Sequence, residues 1–144
     1  MSKTGEIARL KACEALNQEL YYPYTYVRDS DQFMVPEDWR SHVEAFLRGE
    51  SWQDDCDGYG MTACDAALIK GLAKPEELAL HACLVDLQSG RMYDHCVGSI
   101  DIGGVTYLFD CIKKGWLVKM TDVNYKWHSH MRYHGDGWYE TVMT

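Results

Sequence analysis

The spacing of apolar residues changes once along this chain of 144 residues, near position 78. Before that point, apolar side chains recur at steps of three and four residues, which is typical of amphipathic helices. After it, they alternate with polar side chains between short turn-forming segments, which is typical of antiparallel strands. Helices followed by strands predict an α+β domain in which N-terminal helices pack on an antiparallel sheet.

Three helices are predicted in the first half of the chain. The first covers residues 3–20, and a tyrosine-rich segment at 21–26 then favours extended structure. The second begins near Pro36 and ends at Gly49. The third leads from Cys56 into an alanine-rich segment, so that this cysteine lies at or near a helix N-terminus.

Strands are predicted over residues 78–87, 92–100 and 105–111. The connectors at 88–91 and 101–104 are rich in turn-forming residues and short enough for antiparallel hairpins. The aromatic tail contains a Gly-Asp-Gly segment and predicts one further hairpin.

Composition favours one globular domain that covers residues 1–144, since 47% of the residues are apolar and 25% are charged. The net charge is −8 and the 14 basic residues are scattered, which argues against nucleic-acid binding. The same acidity disfavours binding to anionic membrane surfaces. The charge says little about which small or peptidic substrate is used; a peptide or protein substrate is expected from the candidate site described below.

The first residues lack the basic start and apolar stretch of a secretory signal, so a cytoplasmic location is expected. In that compartment the six cysteines are expected to be reduced thiols, most of them small buried hydrophobic residues. No pair has C-x-x-C spacing, which argues against a zinc knuckle. No cofactor or metal is expected.

A candidate catalytic group comes from Cys56, His95 and Asp110. A thiolate is stabilised at a helix N-terminus, where Cys56 is predicted to lie. If the second hairpin turns symmetrically about 101–104, His95 directly faces Asp110; a turn shifted to 103–104 leaves them diagonal on the same face. In either register the carboxylate can orient the imidazole.

A thiol next to such a histidine is an activated nucleophile for acyl transfer through a thioester. Backbone N–H groups at the helix start would stabilise the oxyanion, and Gln53 is a candidate side-chain donor. His81, on the preceding strand, is the alternative to His95 as the base.

The segment 55–60, with the sequence D-C-D-G-Y-G, follows a tryptophan-bearing predicted helix. This arrangement resembles bacterial transglutaminase-like cysteine peptidases, in which a D-C-x-D-Y-A-like segment opens the nucleophile helix. His95 stands where that family carries its histidine, and Asp110 is similar to its strand-ending aspartate. The resemblance covers roughly residues 22–142 and implies a papain-like fold with acyl-transfer chemistry at the cysteine.

Two possible metal motifs are judged weaker. Asp54, Asp55 and Asp57 lack the ligand alternation of a calcium-binding EF-hand loop and suit helix capping better. The tail histidines could share an ion from one strand face, although no fourth ligand is evident; they are His128, His130 and His134.

Two other functions remain open. An NlpC-type peptidoglycan hydrolase also has an Asp before its cysteine, but usually has Ser-Gly after it, where this chain has Asp57-Gly58. A non-catalytic binding protein, such as a viral or accessory factor that engages a host protein, could keep the fold without the chemistry. Cys56→Ala would leave the biological effect of a non-catalytic binding protein intact, whereas it would abolish the effect of an enzyme.

Overall fold

The computed structural model describes residues 3–27, 41–86, 90, 92–133 and 138–143. Its helices and strands, in chain order, are α1 Lys3–Tyr21, β1 Tyr24–Tyr26, α2 Val43–Leu47, β2 Trp52–Asp54, α3 Cys56–Ile69, β3 Leu78–Asp86, β4 Met92–Ile102, β5 Val105–Phe109, β6 Val118–Lys119, β7 Lys126–Tyr133 and β8 Trp138–Met143. Short 3₁₀ turns lie at Pro75–Glu77, Cys111–Lys113 and Met120–Asp122.

Six strands form an antiparallel sheet in the order β6-β5-β4-β3-β7-β8, which confirms the predicted α+β class. A second, two-stranded sheet pairs β1 with β2 in parallel. The sequence patterns predicted neither β2 nor β6, because strands of two or three residues are too short to show alternation.

The central core lies between helices α1 and α3 and the middle of the large sheet. Helix α1 contributes Cys13, Leu16 and Leu20, all nearly inaccessible to solvent. Helix α3 buries its alanines against strand β4. Small side chains allow helix α3 to lie close to the backbone of β4. A Cβ on Gly60 would lie 2.8 Å from the backbone nitrogen of Gly98, which is too close for two such atoms. The start of α3 is therefore held directly against β4.

The turn between β4 and β5 sets the register of the candidate site. Gly103 and Gly104 both have positive φ, at 58° and 81°, which a two-residue type I′ hairpin turn requires. Ile102 therefore pairs with Val105, and the symmetric register about 101–104 is wrong. The alternative register, with the turn at 103–104, is the one observed.

Most of the other predicted elements fall close to their expected positions, but the second helix is shorter than predicted: α2 covers only Val43–Leu47, and residues 41 and 42 before it are not helical. The first helix ends one residue later than predicted, and the third begins at Cys56 itself. The tail hairpin forms between β7 and β8, whereas its turn at 134–137 lies outside the described residues. The predicted helix start at Pro36 also lies outside them. Within the described ranges, no helix is long and apolar enough to cross a membrane.

Candidate active site

Cys56 is the first residue of helix α3, as predicted. Asp55 caps the helix, and its Oδ1 accepts a hydrogen bond of 3.1 Å from the backbone N–H of Gly58. This cap uses one of the N–H groups that a helix start leaves without a partner. The thiol thus stands at the positive end of the helix dipole.

A buried aspartate supports this helix start from beneath. Asp54 is fully buried; its Oδ1 accepts the backbone N–H of Asp55 at 2.7 Å, and its Oδ2 accepts His42 Nε2 at 2.8 Å. Space for this carboxylate exists only because residue 58 is glycine: a Cβ there would lie 1.9 Å from Asp54 Oδ2. The His42–Asp54 pair was not predicted, because nothing in the local sequence signals a contact between those two elements.

His95 and Asp110 are hydrogen-bonded to each other, with 2.7 Å between Nε2 and Oδ1. Asp110 is fully buried and lies just past the end of β5, where it caps the turn Cys111–Lys113. It also accepts the backbone N–H of Ile112 at 3.0 Å and the hydroxyl of Tyr125 at 2.5 Å. Tyr125 was missed, because a tyrosine in a connector before a strand carries no sequence signal of this contact.

These three donors keep Asp110 ionised. Burial would raise the pKa of the Asp110 carboxyl, but the hydrogen bond and electrostatic interaction with His95, together with the hydrogen bonds from Tyr125 and the Ile112 N–H, hold it below its usual value. An ionised carboxylate at Nε2 fixes the tautomer of the ring, so that Nδ1 is the nitrogen available for proton transfer.

Cys56 and His95 line the same cavity, whose volume is about 720 Å³. The backbone N–H of Cys96, the residue after His95, donates a hydrogen bond to the Cys56 sulfur. Cys56 also packs on the small buried cluster formed by Met61, Leu80 and Cys96. The start of α3 thus lies on the strand that carries His95, at the same cavity.

The cavity wall is rich in aromatic side chains and contains a second thiol. Its tyrosines are Tyr21, Tyr24, Tyr26 and Tyr93. Cys111, treated in the sequence as one of the ordinary core cysteines, lines this cavity and is only partly buried. All six cysteines lie within the described residues and are free thiols, as predicted.

The environment of Cys56 keeps its thiol protonated. Burial raises the pKa of the Cys56 thiol far above its usual value, and electrostatic interactions with the neighbouring Asp57, Cys111 and Asp55 raise it further. The thiol donates to Asp57 Oδ1 over 3.9 Å. The Cys96 N–H acts in the opposite direction, since it favours the thiolate. A base is therefore needed to remove the proton from this thiol.

The other candidate residues lie elsewhere. Gln53, the proposed oxyanion donor, has an exposed side chain on β2 and does not line the cavity. Nε2 of His81, the alternative base, lies 2.8 Å from Ser99 Oγ, and the His81 ring lies 5.5 Å from the tilted ring of His130 on the neighbouring strand, measured between centroids. Of the tail histidines, His128 is exposed and interacts with Ser129, and His134 lies outside the described residues.

No protein-family model matches the sequence, and no curated protein gives a significant match. The fold does match solved structures of Legionella pneumophila LapG. The calcium-bound form has 15% identity and a TM-score of 0.58, with 89% of this chain and 70% of the LapG chain covered. The EGTA-treated form has 16% identity, a TM-score of 0.59, and coverages of 94% and 71%. A third LapG structure has 16% identity, a TM-score of 0.57, and coverages of 91% and 68%. At these identities the chain is similar to LapG in fold.

Proposed function

We propose that this chain is a thiol-dependent acyl-transfer enzyme that acts on amide bonds of a peptide or protein. One observation carries the proposal: the buried 2.7 Å bond between His95 and Asp110 lies at the cavity that Cys56 lines from a helix N-terminus. A nucleophile, a base and a group that orients the base are the minimum set for this chemistry.

His95 acts as the general base in the proposed mechanism. Because burial and acidic neighbours keep the Cys56 thiol protonated, Nδ1 of His95 takes the proton as the sulfur attacks the substrate carbonyl carbon. The imidazolium then gives this proton to the departing amine, and a thioester remains on Cys56. Water or a second amine releases the acyl group.

The helix start supplies the proposed oxyanion site. The carbonyl oxygen gains negative charge as the carbon becomes tetrahedral, and backbone N–H groups at the first turn of α3 point toward that end of the helix. Gln53 remains a proposed additional donor, although its exposed position on β2 would require it to turn toward the cavity.

Two similarities support the proposal. The fold resembles that of LapG, a transglutaminase-like cysteine protease, at 15% identity in the calcium-bound structure. The D-C-D-G-Y-G segment independently resembles the nucleophile segment of transglutaminase-like cysteine peptidases. The segment resemblance points to Cys56 as the nucleophile, whereas the fold match supports the fold alone, since a shared fold does not by itself establish an activity.

Calcium does not fit the residues around Cys56. One LapG structure is calcium-bound, and calcium binds six to eight oxygen ligands. Here Asp54 accepts bonds from His42 and Asp55, and Asp55 caps α3. Across the described ranges, a single group of three or more His, Cys, Asp or Glu side chains converges, and it holds only one carboxylate. The proposed mechanism therefore includes no step that uses calcium.

Alkylation of Cys56 tests the proposal without a known substrate. Iodoacetamide is expected to modify Cys56 by a His95-dependent reaction, so that His95→Ala slows it while the control His81→Gln does not. Peptide mapping would assign the labelled cysteine. Equal rates in wild type and His95→Ala would contradict the proposed pairing.

Turnover of a peptide pool supplies the second test. Incubation with wild-type protein should produce new peptide termini or amine adducts, and Cys56→Ala should abolish them. A biological effect that survives Cys56→Ala would instead support a non-catalytic binding protein.

A further inference from the structure

The cavity at Cys56 has a wall of tyrosine rings and a carboxylate, neither of which the acyl-transfer mechanism uses. Among the described residues that line it, Asp94 is the one acidic side chain, and none is a lysine or an arginine. Its volume of about 720 Å³ lies within the range of about 300–1,000 Å³ that is typical of ligand sites. A side chain of a bound peptide therefore fits inside it.

Two of the tyrosines are directed to the cavity by the alternation of strand β1. Tyr24 and Tyr26 are two residues apart, so their side chains share one face of this strand. The hydroxyl of Tyr24 donates to the backbone oxygen of Asp54 at 2.9 Å, which places that face toward the start of α3. Tyr26 lines the cavity and is 55% exposed, so a ligand in the cavity can reach its ring.

Asp94 lies on the side of strand β4 that faces Cys56. It is two residues from Cys96 on a strand that pairs with β3 without interruption, so the two side chains share a face. Cys96 belongs to the small cluster on which Cys56 packs. Strand β5 ends opposite Gly98, so in the described part of the chain it does not extend alongside Asp94, which is exposed.

Negative charge at the cavity is not balanced by a lysine or arginine among its described lining residues. Asp55 and Asp57 flank Cys56 and interact with its thiol electrostatically. Lys113 follows the lining segment in sequence, but its Nζ lies 5.6 Å from the centroid of the Tyr125 ring, and it does not line the cavity. The whole chain has a net charge of −8. A cationic ligand is therefore favoured over a neutral or an anionic one.

Tyrosine rings beside a carboxylate suit an organic cation. A lysine ammonium or an arginine guanidinium is attracted to the face of an aromatic ring within about 6 Å of the ring centroid, and the alkyl part of the side chain packs on apolar surface. The contact between Lys113 and Tyr125 is an example within this chain. The exposed carboxylate of Asp94 adds a smaller contribution, because ion pairs in contact with solvent are weak.

We propose that this cavity binds a lysine or arginine side chain of the peptide substrate, and that Tyr26 and Asp94 contact its cationic group. This binding site rests on the proposed function for the presence of a peptide at Cys56, and it adds which residue that peptide carries. Peptides with a basic residue beside the reacting amide bond are therefore the selected substrates.

Binding of synthetic peptides to Cys56→Ala tests the site without turnover. The probes are three glycine-serine decapeptides, blocked at both ends, that carry lysine, norleucine or glutamate at one central position. Isothermal titration calorimetry should show that the lysine peptide binds about tenfold more tightly than the norleucine peptide, and that the glutamate peptide binds most weakly. Equal affinity for lysine and norleucine, or no binding of any peptide, would overturn the proposal.

Matched variants in the same background assign the two side chains. Tyr26→Leu and Asp94→Asn should each weaken binding of the lysine peptide about threefold and change binding of the norleucine peptide less. The controls are Tyr22→Leu, at a residue that is 93% exposed, and Asp86→Asn, at the exposed end of β3; neither residue lines the cavity. Equal losses in the controls would indicate an effect of overall charge or surface and would overturn the assignment.

The unaltered protein provides a test in which folding of a variant is not at issue. Two thiol reagents of opposite charge, 2-aminoethyl and 2-sulfonatoethyl methanethiosulfonate, are compared at Cys56 by peptide mapping. After normalisation to the neutral thiol N-acetylcysteinamide, the cationic reagent should react about tenfold faster than the anionic one. Equal normalised rates would overturn the proposal.

n-Butylamine separates a peptide side chain from a free amine as the source of the cation. The lysine peptide should protect Cys56 of the wild-type protein from iodoacetamide at a concentration at which n-butylamine does not. Equal protection by n-butylamine would assign the cavity to a free amine and overturn the assignment to a peptide. All these readouts are independent of turnover, so a failed acyl-transfer assay and a failed cation site are separate results.

Discussion

Asp110 accepts three hydrogen bonds while fully buried, and the donors come from three parts of the chain. A buried carboxylate without hydrogen-bond partners would cost several kcal/mol of folding free energy. The three hydrogen bonds to Asp110 offset this cost and explain how its charge is kept in the interior. It also fixes the direction of the His95 ring. At the scale of single residues, Asp110 thus links the stability of the site with its proposed chemistry.

Replacing Asp110 by Asn should therefore abolish most activity while leaving the thiol in place. An amide at this position favours the wrong tautomer of His95, and the loss expected in kcat/KM is on the order of 10³–10⁴. The measurement is turnover of a cleaved peptide, with Asp122→Asn on the surface as the matched control. Full activity of Asp110→Asn would contradict the proposed triad.

Asp57 lowers the reactivity of Cys56, because its carboxylate accepts a hydrogen bond from the thiol and its negative charge disfavours the thiolate. Asp57→Asn should lower the pKa of Cys56 and accelerate its alkylation at pH 7, by about tenfold for each pKa unit. The rate is measured with iodoacetamide between pH 6 and pH 9. A slower reaction in the variant would show that Asp57 assists deprotonation instead.

At the scale of elements, helix α3 is fixed by contacts that require glycine. Gly58 leaves room for Asp54, and Gly60 lies against the backbone of Gly98 on strand β4. These two contacts hold the helix start on the strand that carries His95. Helix position, rather than helix propensity, brings the thiol to the cavity.

Gly58→Ala should shift the start of α3, because the new methyl group would occupy the position of the Asp54 carboxylate. We expect a loss of about 1–3 kcal/mol in the free energy of unfolding, as for other overpacked sites, together with slower Cys56 alkylation. Urea unfolding measures the first effect. Gly49→Ala is the control: nothing lies within 4 Å there, so only the backbone strain at φ +75° remains, about 1–2 kcal/mol.

Unchanged alkylation in Gly58→Ala would contradict the positioning role of the Asp54 contact. A loss of stability in both variants, with slower alkylation only in Gly58→Ala, would support it. The comparison therefore separates a general effect on folding from a specific effect on the site.

At the scale of the whole molecule, His81 makes stability depend on pH. It joins three strands of the large sheet, through Ser99 on β4 and His130 on β7. Burial, followed by the charges of His130 and Arg132, lowers the pKa of His81 to about 4, although Asp101 opposes this shift. The folded protein therefore keeps His81 neutral at a pH where the unfolded chain would protonate it.

Stability should consequently fall as pH decreases from about 6.5 to about 4, because the unfolded state binds more protons in this window. The loss due to His81 is at most about 3–4 kcal/mol, since its pKa falls from 6.5 to about 4 and one pKa unit corresponds to about 1.4 kcal/mol. His81→Gln, which can still bond Ser99, should flatten this part of the curve in urea unfolding at several pH values. Equal slopes for the two proteins would contradict the assignment.

The sequence was most informative where the determinants are local. The periodicity up to position 72 predicted α1 and α3, and Asp55 before Cys56 indicated the helix start. Capping and helix periodicity depend on residues a few positions apart, so one chain displays them directly. The two hairpin registers left open for β4 and β5 both kept His95 beside Asp110, and the structure has one of them.

Contacts between distant segments were decided only by the tertiary structure. The positive φ angles of Gly103 and Gly104 set the register of β4 and β5. Packing between elements then brought three further side chains to the site: Tyr125 to Asp110, His42 to Asp54, and Cys111 to the cavity. None of these contacts follows from spacing, because burial and backbone approach depend on how whole elements pack. The sequence alone thus predicted the long helices, the strands of the main hairpins and the candidate residues, whereas the cavity and the groups that surround them arose from the packing of helices on the sheet.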